Sequence, residues 1–570
     1  MKKCIKIISV LIAVTLLFSS CSANIDISEI VNIFSGKTVF EITEGIAGDG
    51  ITDVKIFDNT VFILSSAFNE KDESTDYYLC TINAKNAKPI ASSKLDGCPI
   101  DYPYGLDINE NGDIVLYGTR DEDAESEEIN DYCVCYNADT FEQTADLKKY
   151  TPSLPSIEIE QAPMGLYMNE DESVTGNEYT DIPGQPIRFY YLRSDMDTVI
   201  LANDLDFSIF SSCGNLAAGL KNNLPGENDE TQTILVYDFE NSVLVNSLTT
   251  MEPTDENMTK YIVSLYLSEK YVLFSEELGN QDSEEYETKY FIWRFRKDAL
   301  DEPFESTKMT VGEIEEANEK LCGQINKATG INVYINSDKF DFYGEDEDYY
   351  LYKDAKPLET NILLTRIKAF IDYLPEGFVK EMYTDLKIFD NYGGFDIFIG
   401  SSIKGTASAY ASSFMENLTI VFGTDTSDFR TVAHEFMHIM DTRIEDYLGT
   451  DVSFYELWGE YNPDGFEYTG YDDENGYFED EKYDDWFISA YSMSTDAEDR
   501  AEIFSYLFID SFSDEPVPDW YKDKEPLREK TDYLIKMIRE AYPSLKDVKT
   551  AQWEKIPESY KKQVTFLRCS

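Results

Sequence analysis

Histidine occurs twice in the 570 residues, at His434 and His438, and Glu435 follows the first of them. Side chains four apart on a helix lie on one face, one turn apart, so both imidazoles can meet a single metal ion. This HExxH spacing is the one expected for zinc, with the Glu435 carboxylate beside the ion as general base. A catalytic zinc takes three protein ligands and leaves a fourth place open. No third histidine exists and no cysteine lies between Cys322 and Cys569, so a carboxylate remains as the third ligand. Asp441 lies one turn beyond His438. Three ligands along one straight helix seam cannot surround an ion, so Asp441 is expected to accept a hydrogen bond from an imidazole instead. Glu498 and Glu502 are the stronger candidates. They stand one turn apart with apolar Ala501, Phe504 and Leu507 around them, and a carboxylate on such an inward face needs a partner, which a metal can be.

The elements that must position these groups are legible nearby. Thr426, Ser427 and Asp428 offer an N-cap for the helix carrying the histidines. Residues 395–400 and 417–423 have the apolar, β-branched character of strands. Residues 418–422 are expected to form a sheet edge on which an extended peptide could pair. Residues 313–325 and 359–382 show helical spacing, the second broken at Pro375, and 527–542 forms a further helix.

Upstream of a composition change near 304 the pattern is different. From about 45 to 303 the chain repeats a hairpin followed some twenty residues later by an aromatic-rich strand, at a recurrence of about 45–60 residues. Hairpins centre on Asp58-Asn59, Asn111-Gly112, Glu170-Asp171, Gly214-Asn215 and Ser268-Glu269. Five such units predict a β-propeller-like domain, with a two-sheet β domain as the alternative. The stretch from Asp107 to Asp113 resembles the opening of a calcium loop, but its twelfth position would be Gly118 instead of a bidentate Glu, and a hairpin turn accounts for it. Cys133 and Cys135 share one strand face and read as buried, small apolar residues. Six cysteines from Cys80 to Cys322 leave disulfide pairing open.

Charge and the N-terminus place the chain. Asp and Glu total 110 against 48 Lys and Arg, a net charge of −62 that repels phosphate backbones, so nucleic acid is not an expected partner. A basic start, about a dozen apolar residues and small residues running into Cys21 resemble a bacterial lipoprotein signal. That resemblance implies cleavage before Cys21, lipid attachment there, and a mature chain anchored to the membrane outside the cytoplasm.

The HEFxHxxD run from His434 to Asp441, followed by Tyr491 and, seven residues on, by the E-x-x-A-E-x-F run from Glu498 to Phe504, resembles the gluzincin metallopeptidases. Within them it is similar to the catalytic domain of the anthrax lethal factor-like group, which includes secreted Pro-Pro endopeptidases. The resemblance implies one zinc ion held by His434, His438 and Glu498, Glu435 as general base, Tyr491 facing the developing oxyanion, and Glu502 supporting a ligand from behind. It covers about 400–510 and says nothing of the first 300 residues. The acidic, Tyr-rich tract 449–485 lengthens the gap between His438 and Glu498 and is expected as a solvated insertion or a specificity loop. The organisation expected is a signal peptide at 1–20, a tether at 21–44, an all-β, β-propeller-like domain at 45–303, an α+β zincin-like metallopeptidase domain at 304–545 and a tail at 546–570. The function expected is hydrolysis of protein or peptide substrates at the cell surface, with an unidentified ligand for the β domain. The alternative is a binding lipoprotein whose zincin domain is inert.

Overall fold

The computed structural model describes residues 38–569 apart from single positions and short stretches, those of four residues or more being 70–73, 121–130, 151–164, 169–173, 183–187, 193–197, 222–231, 251–257, 281–285, 340–350, 387–392, 413–416, 450–453 and 471–480. The expected signal peptide, Cys21 and the start of the expected tether lie outside the described residues, as do Glu170-Asp171 and Thr426. No helix among the described residues is long and apolar enough to cross a membrane. The chain divides into two compact units, 1–155 with 206–304, and 156–205 with 305–570.

The first unit is β-rich. Its sheets are antiparallel meanders of consecutive strands: Gly50–Phe57 to Lys88–Lys94, Tyr102–Ile108 to Lys148–Tyr150, Ser208–Cys213 to Val243–Thr249, and Met258–Leu267 to Tyr286–Arg294. The last meander has three strands, and its fourth place is filled from the other end of the unit. Val39–Ile42 pairs antiparallel with it, Val39 opposite Trp293 and Ile42 opposite Tyr290. The described end of the expected tether is therefore a strand, because its alternating Phe40 and Ile42 gain a ladder and a core that an exposed linker would forgo.

Strand periodicity explains how these sheets cohere. Successive side chains point to opposite faces, and along the inner strands both faces are buried. Val61 and Ile63 pack with Tyr271 and Leu273 of the last sheet, whereas Phe62 and Leu64 between them pack with Leu106 and Leu116 of the next. Val272 and Phe274 in turn pack with Leu216 and Val236. Each first strand carries a bulge, just before Asp53, Gly105, Ser211 and Ser264. Two of these residues tie sheet to sheet: Asp53 accepts from the Leu106 N–H at 2.7 Å and Ser211 from the Leu267 N–H at 2.9 Å. The calcium-like stretch is a turn. Asn109 accepts from the Asn111 and Asp113 N–H groups at 2.9 and 3.0 Å, and Asp107 pairs with Lys55 at 3.1 Å. Cys80, Cys98, Cys133, Cys135, Cys213 and Cys322 are all free thiols.

The boundary near 304 ends the first unit, yet one expected β repeat belongs to the second. Strands Gly165–Met168, Val174–Glu178, Arg188–Leu192 and Thr198–Asn203 form a meander whose fifth strand is Ser306–Thr310. That strand runs into helix Val311–Thr329 through a capping box of Thr310 and Glu313. Ile314 of this helix packs on Val199, which carries the meander into the helical unit.

The rest of the second unit is helical around a four-stranded sheet. Asn332–Ile335, Phe395–Gly400 and Leu418–Gly423 run parallel, and Ala409–Ser412 pairs antiparallel on the far side of Leu418–Gly423. Leu418–Gly423 is thus an interior strand, buried at every residue, and the expectation of an edge at 418–422 is corrected. Continuous apolar character signals a strand covered on both faces, and Leu418 to Phe422 has it. The edge on that side is Ala409–Ser412, and Asn332–Ile335 is the opposite edge. Helices Pro357–Tyr373, Phe429–Leu448, Asp496–Asp510 and Glu525–Ala541 share one core with this sheet, where the Phe370 ring lies tilted 4.8 Å from those of both Phe436 and Phe508. Residues 546–570 are no tail. Ala551, Trp553 and Ile556 are buried in the same core, and the Trp553 ring lies 5.5 Å from Phe378 and from Phe504.

Candidate metal centre

The helix Phe429–Leu448 starts at Asp428, whose carboxylate accepts from the Thr431 N–H at 2.6 Å, and ends at Gly449 with φ of 88°. Val432, Phe436, Met437, Met440 and Ile444 enter the core. Its position is set by buried contacts along its length. Arg443 donates to the Ala541, Thr384 and Asp385 carbonyls at 3.1, 3.2 and 3.0 Å, and Tyr542 donates to the Met440 carbonyl at 3.2 Å. Arg366 holds the Ser427 carbonyl at 3.0 Å just before the helix begins.

Against it packs Asp496–Asp510, capped by Thr495, which accepts from the Glu498 N–H at 3.1 Å. This pairing brings His434, His438 and Glu498 together. Glu498 Oε2 lies 2.8 Å from His434 Nε2 and 3.4 Å from His438 Nε2, and the two Nε2 atoms are 3.2 Å apart. A tetrahedral ion with ligand bonds of 2.0–2.1 Å spaces its donors about 3.3–3.4 Å apart. The triangle is close to that size, and its donor set of two imidazole nitrogens and one carboxylate oxygen suits zinc.

Electrostatics favour positive charge inside the triangle. Burial works against charge on His434, but hydrogen bonds to Glu498 and Glu502 outweigh it and push its pKa up to about 10. Burial likewise opposes the Glu498 carboxylate, while the hydrogen bonds of His434 and His438 hold it well below the usual carboxylate range.

Around the triangle, Glu502 Oε1 lies 3.1 Å from His434 Nδ1. A carboxylate there holds the Nδ1–H tautomer and leaves Nε2 for a metal. Glu502 Oε2 accepts from the Ser489 hydroxyl at 2.7 Å. Glu435 is buried, its Oε2 has no hydrogen-bond partner among the described residues, and burial raises its carboxyl, with His438 and His434 pulling the other way. An orphaned buried carboxylate oxygen beside such a triangle has one natural companion, a water or substrate proton in the site. Tyr491 stands on a short 3-10 turn, Tyr491–Met493, its ring 6.1 Å from the His434 ring and 40% exposed, so it is no core aromatic.

Asp441 departs from expectation. It takes Arg500 Nε at 2.8 Å instead of an imidazole, because Arg500 is buried on the facing helix and needs a counter-charge there. Sequence reasoning also missed Asp499 and Lys530, both wholly buried and paired at 2.7 Å, with Trp458 and Tyr468 donating to the same Asp499 oxygen at 2.9 and 3.1 Å. Trp458 and Tyr468 come from the 449–485 tract, so the described part of that tract is fastened to the Glu498 helix and is more than a solvated insertion. A run of Glu498-Asp499-Arg500 amid an acidic sequence carries no local signal that each charge has a different buried partner.

No family model matches the chain, and no curated protein matches it. Among solved structures the chain is similar to the tail fibre of Staphylococcus aureus phage P68, at 12% identity over 45% of this chain and 52% of that one, with a TM-score of 0.23. It thus spans about half of the phage protein. It is also similar to the β-propeller domain of the Trilobed protease from Pyrococcus furiosus, at 12% identity over 44% of this chain and 83% of that domain, TM-score 0.20. An exo-β-1,3-galactanase from Phanerochaete chrysosporium matches at 6% identity over 47% and 66%, TM-score 0.24. At these scores the neighbours carry no argument about function, which rests on the chain's own residues.

Proposed function

We propose that this chain is a zinc-dependent metalloendopeptidase of the gluzincin type, similar to the lethal factor-like and Pro-Pro endopeptidase group, acting on protein or peptide substrates while anchored outside the cytoplasmic membrane through lipid on Cys21. The observation that supports it above others is the triangle of 2.8, 3.2 and 3.4 Å formed by His434, His438 and Glu498. When bound, zinc supplies Lewis-acid polarisation of a peptide carbonyl and acidifies water. The chain's own groups do the rest. Glu435 takes the proton of the attacking water and returns it to the leaving amine. Tyr491 reaches the carbonyl oxygen from the solvent side and donates to it as negative charge develops, an interaction worth about 2.7–4 kcal/mol in comparable sites. Glu502 keeps the His434 ring in the required tautomer. An extended substrate pairs with the edge strand Ala409–Ser412.

For the first unit we read the consecutive meanders, with Val39–Ile42 completing the last one, as the connectivity of a β-propeller that binds a ligand of its own. The peptidase reading is tested by metal analysis of the purified protein together with a peptide-library digest, comparing the native chain with Glu435→Ala. Stoichiometric zinc in both proteins and cleavage by the native one alone is expected, with the rate falling at least 10²–10⁴-fold in the variant. Absence of zinc, or identical digests, would sink the reading in favour of a binding lipoprotein.

A further inference from the structure

The two helices that carry the metal ligands meet in a ladder of three rungs. His434 meets Glu502, His438 and His434 meet Glu498, and Asp441 meets Arg500. The first two rungs involve the proposed ligands themselves. The third has no ligand in it, yet lies two residues beyond Glu498 on one helix and three beyond His438 on the other. We infer that the Asp441–Arg500 ion pair is a positioning strut that sets the register of the two helices so that Glu498 meets both imidazoles before any metal arrives.

The geometry of Arg500 supports this role. Its guanidinium is buried and held on several sides. Nε donates to Asp441 Oδ2 at 2.8 Å, Nη1 donates to Asp496 Oδ2 at 2.5 Å, and its plane lies over the rings of Phe454 at 4.4 Å and Trp458 at 5.7 Å. An arginine fork clamped in this way has little freedom to let the facing carboxylate drift. Between Glu498 and Arg500 stands Asp499, itself anchored to Lys530, so the backbone that follows the ligand is fixed at two successive residues. Metal affinity is sensitive to such support, because a ligand already in place loses no conformational freedom on binding.

Charge balance makes the inference testable with one substitution. Asp441 and Asp496 together place two carboxylates around one guanidinium. Removing Asp441 leaves Arg500 paired with Asp496 on its own helix, so no buried charge is stranded while the strut between helices is lost. The inference rests on the zinc reading, and the measurement keeps the two apart. Zinc affinity is determined by competition with a chromogenic chelator for the native chain and for Asp441→Leu, with circular dichroism and thermal melting as a check of folding. Tight binding by the native chain and a 10–100-fold weaker Kd in a folded Asp441→Leu protein is the expected result. A folded variant with the native Kd, whatever its melting temperature, overturns the strut and leaves the zinc reading standing. Failure of the native chain to bind zinc overturns both. Should Asp441→Leu not fold, the double variant Asp441→Leu/Arg500→Met removes both charges and is held to the same two outcomes.

Discussion

Asp499 and Lys530 illustrate how much of this molecule is decided by single buried charges. Neither side chain is exposed, and burial drives both toward their neutral forms, Asp499 upward in pKa and Lys530 downward, against the attraction between them. Replacing Lys530 by Met would leave the Asp499 carboxylate buried with the neutral donors Trp458 and Tyr468 and no counter-charge, at a cost of about 3–5 kcal/mol. The pair replacement Asp499→Leu/Lys530→Met strands no charge but leaves the Trp458 and Tyr468 donors without their acceptor, and is expected to cost about 1–3 kcal/mol, less than Lys530→Met alone. Urea unfolding of both variants checks this, and equal losses in the two would refute it. At this scale the sequence was legible only where chemistry imposes spacing. His434, Glu435 and His438 stand out because a helix turn and a metal share a geometry. The partnerships Asp441–Arg500 and Asp499–Lys530 span 59 and 31 residues and follow no periodicity, so they become visible only once the helices are docked.

Elements were legible where their patterning is local. The helices expected at 313–325, 359–382 and 527–542 appear as Val311–Thr329, Pro357–Tyr373 and Glu525–Ala541, and the break at Pro375 separates Pro357–Tyr373 from the short Phe378–Glu381. Strand existence at 395–400 and 417–423 was equally clear, but strand neighbours were not. Nothing in Leu418 to Phe422 says that Ala409–Ser412 lies outside it, since a weakly apolar four-residue strand has little signature of its own. The C-terminal segment was missed for a similar reason. Its helix Lys555–Cys569 is polar in composition, and its contribution is concentrated in the few apolar residues that precede and open it. Trp553 is fully buried against Phe378 and Phe504, so Trp553→Ala should cost about 3–5 kcal/mol and lower the melting temperature of the second unit. A melting temperature unchanged from the native protein would return this segment to the status of an appendage.

For the whole molecule, the two compact units differ in what holds them. The first is a set of antiparallel sheets whose repeat is legible in the sequence because each hairpin turn is followed some twenty residues later by an aromatic-rich strand. Its true limits were hidden, because the partner of Val39–Ile42 lies about 250 residues away and one repeat packs with the other unit. The second unit joins its helices through the proposed metal site, so zinc bound to the folded form adds to its stability by mass action, about 2.7 kcal/mol at a free concentration 100 times Kd. Dialysis against a chelator should therefore lower the melting temperature by several degrees, and restoring zinc should reverse it. Calorimetric traces that coincide with and without zinc would contradict a site in this position.

The strand Val39–Ile42 also gives the molecule a load path. With Cys21 fixed to a surface, as proposed, only about eighteen residues separate the attachment point from the first paired residue, a reach of about 60 Å when drawn taut. Any drag on the body, from flow or from a captured substrate, is then transmitted through the four-residue ladder against Tyr290–Trp293 before it is felt elsewhere. The final meander is the place where tension would enter the fold, and its yielding would slacken the leash without detaching the protein.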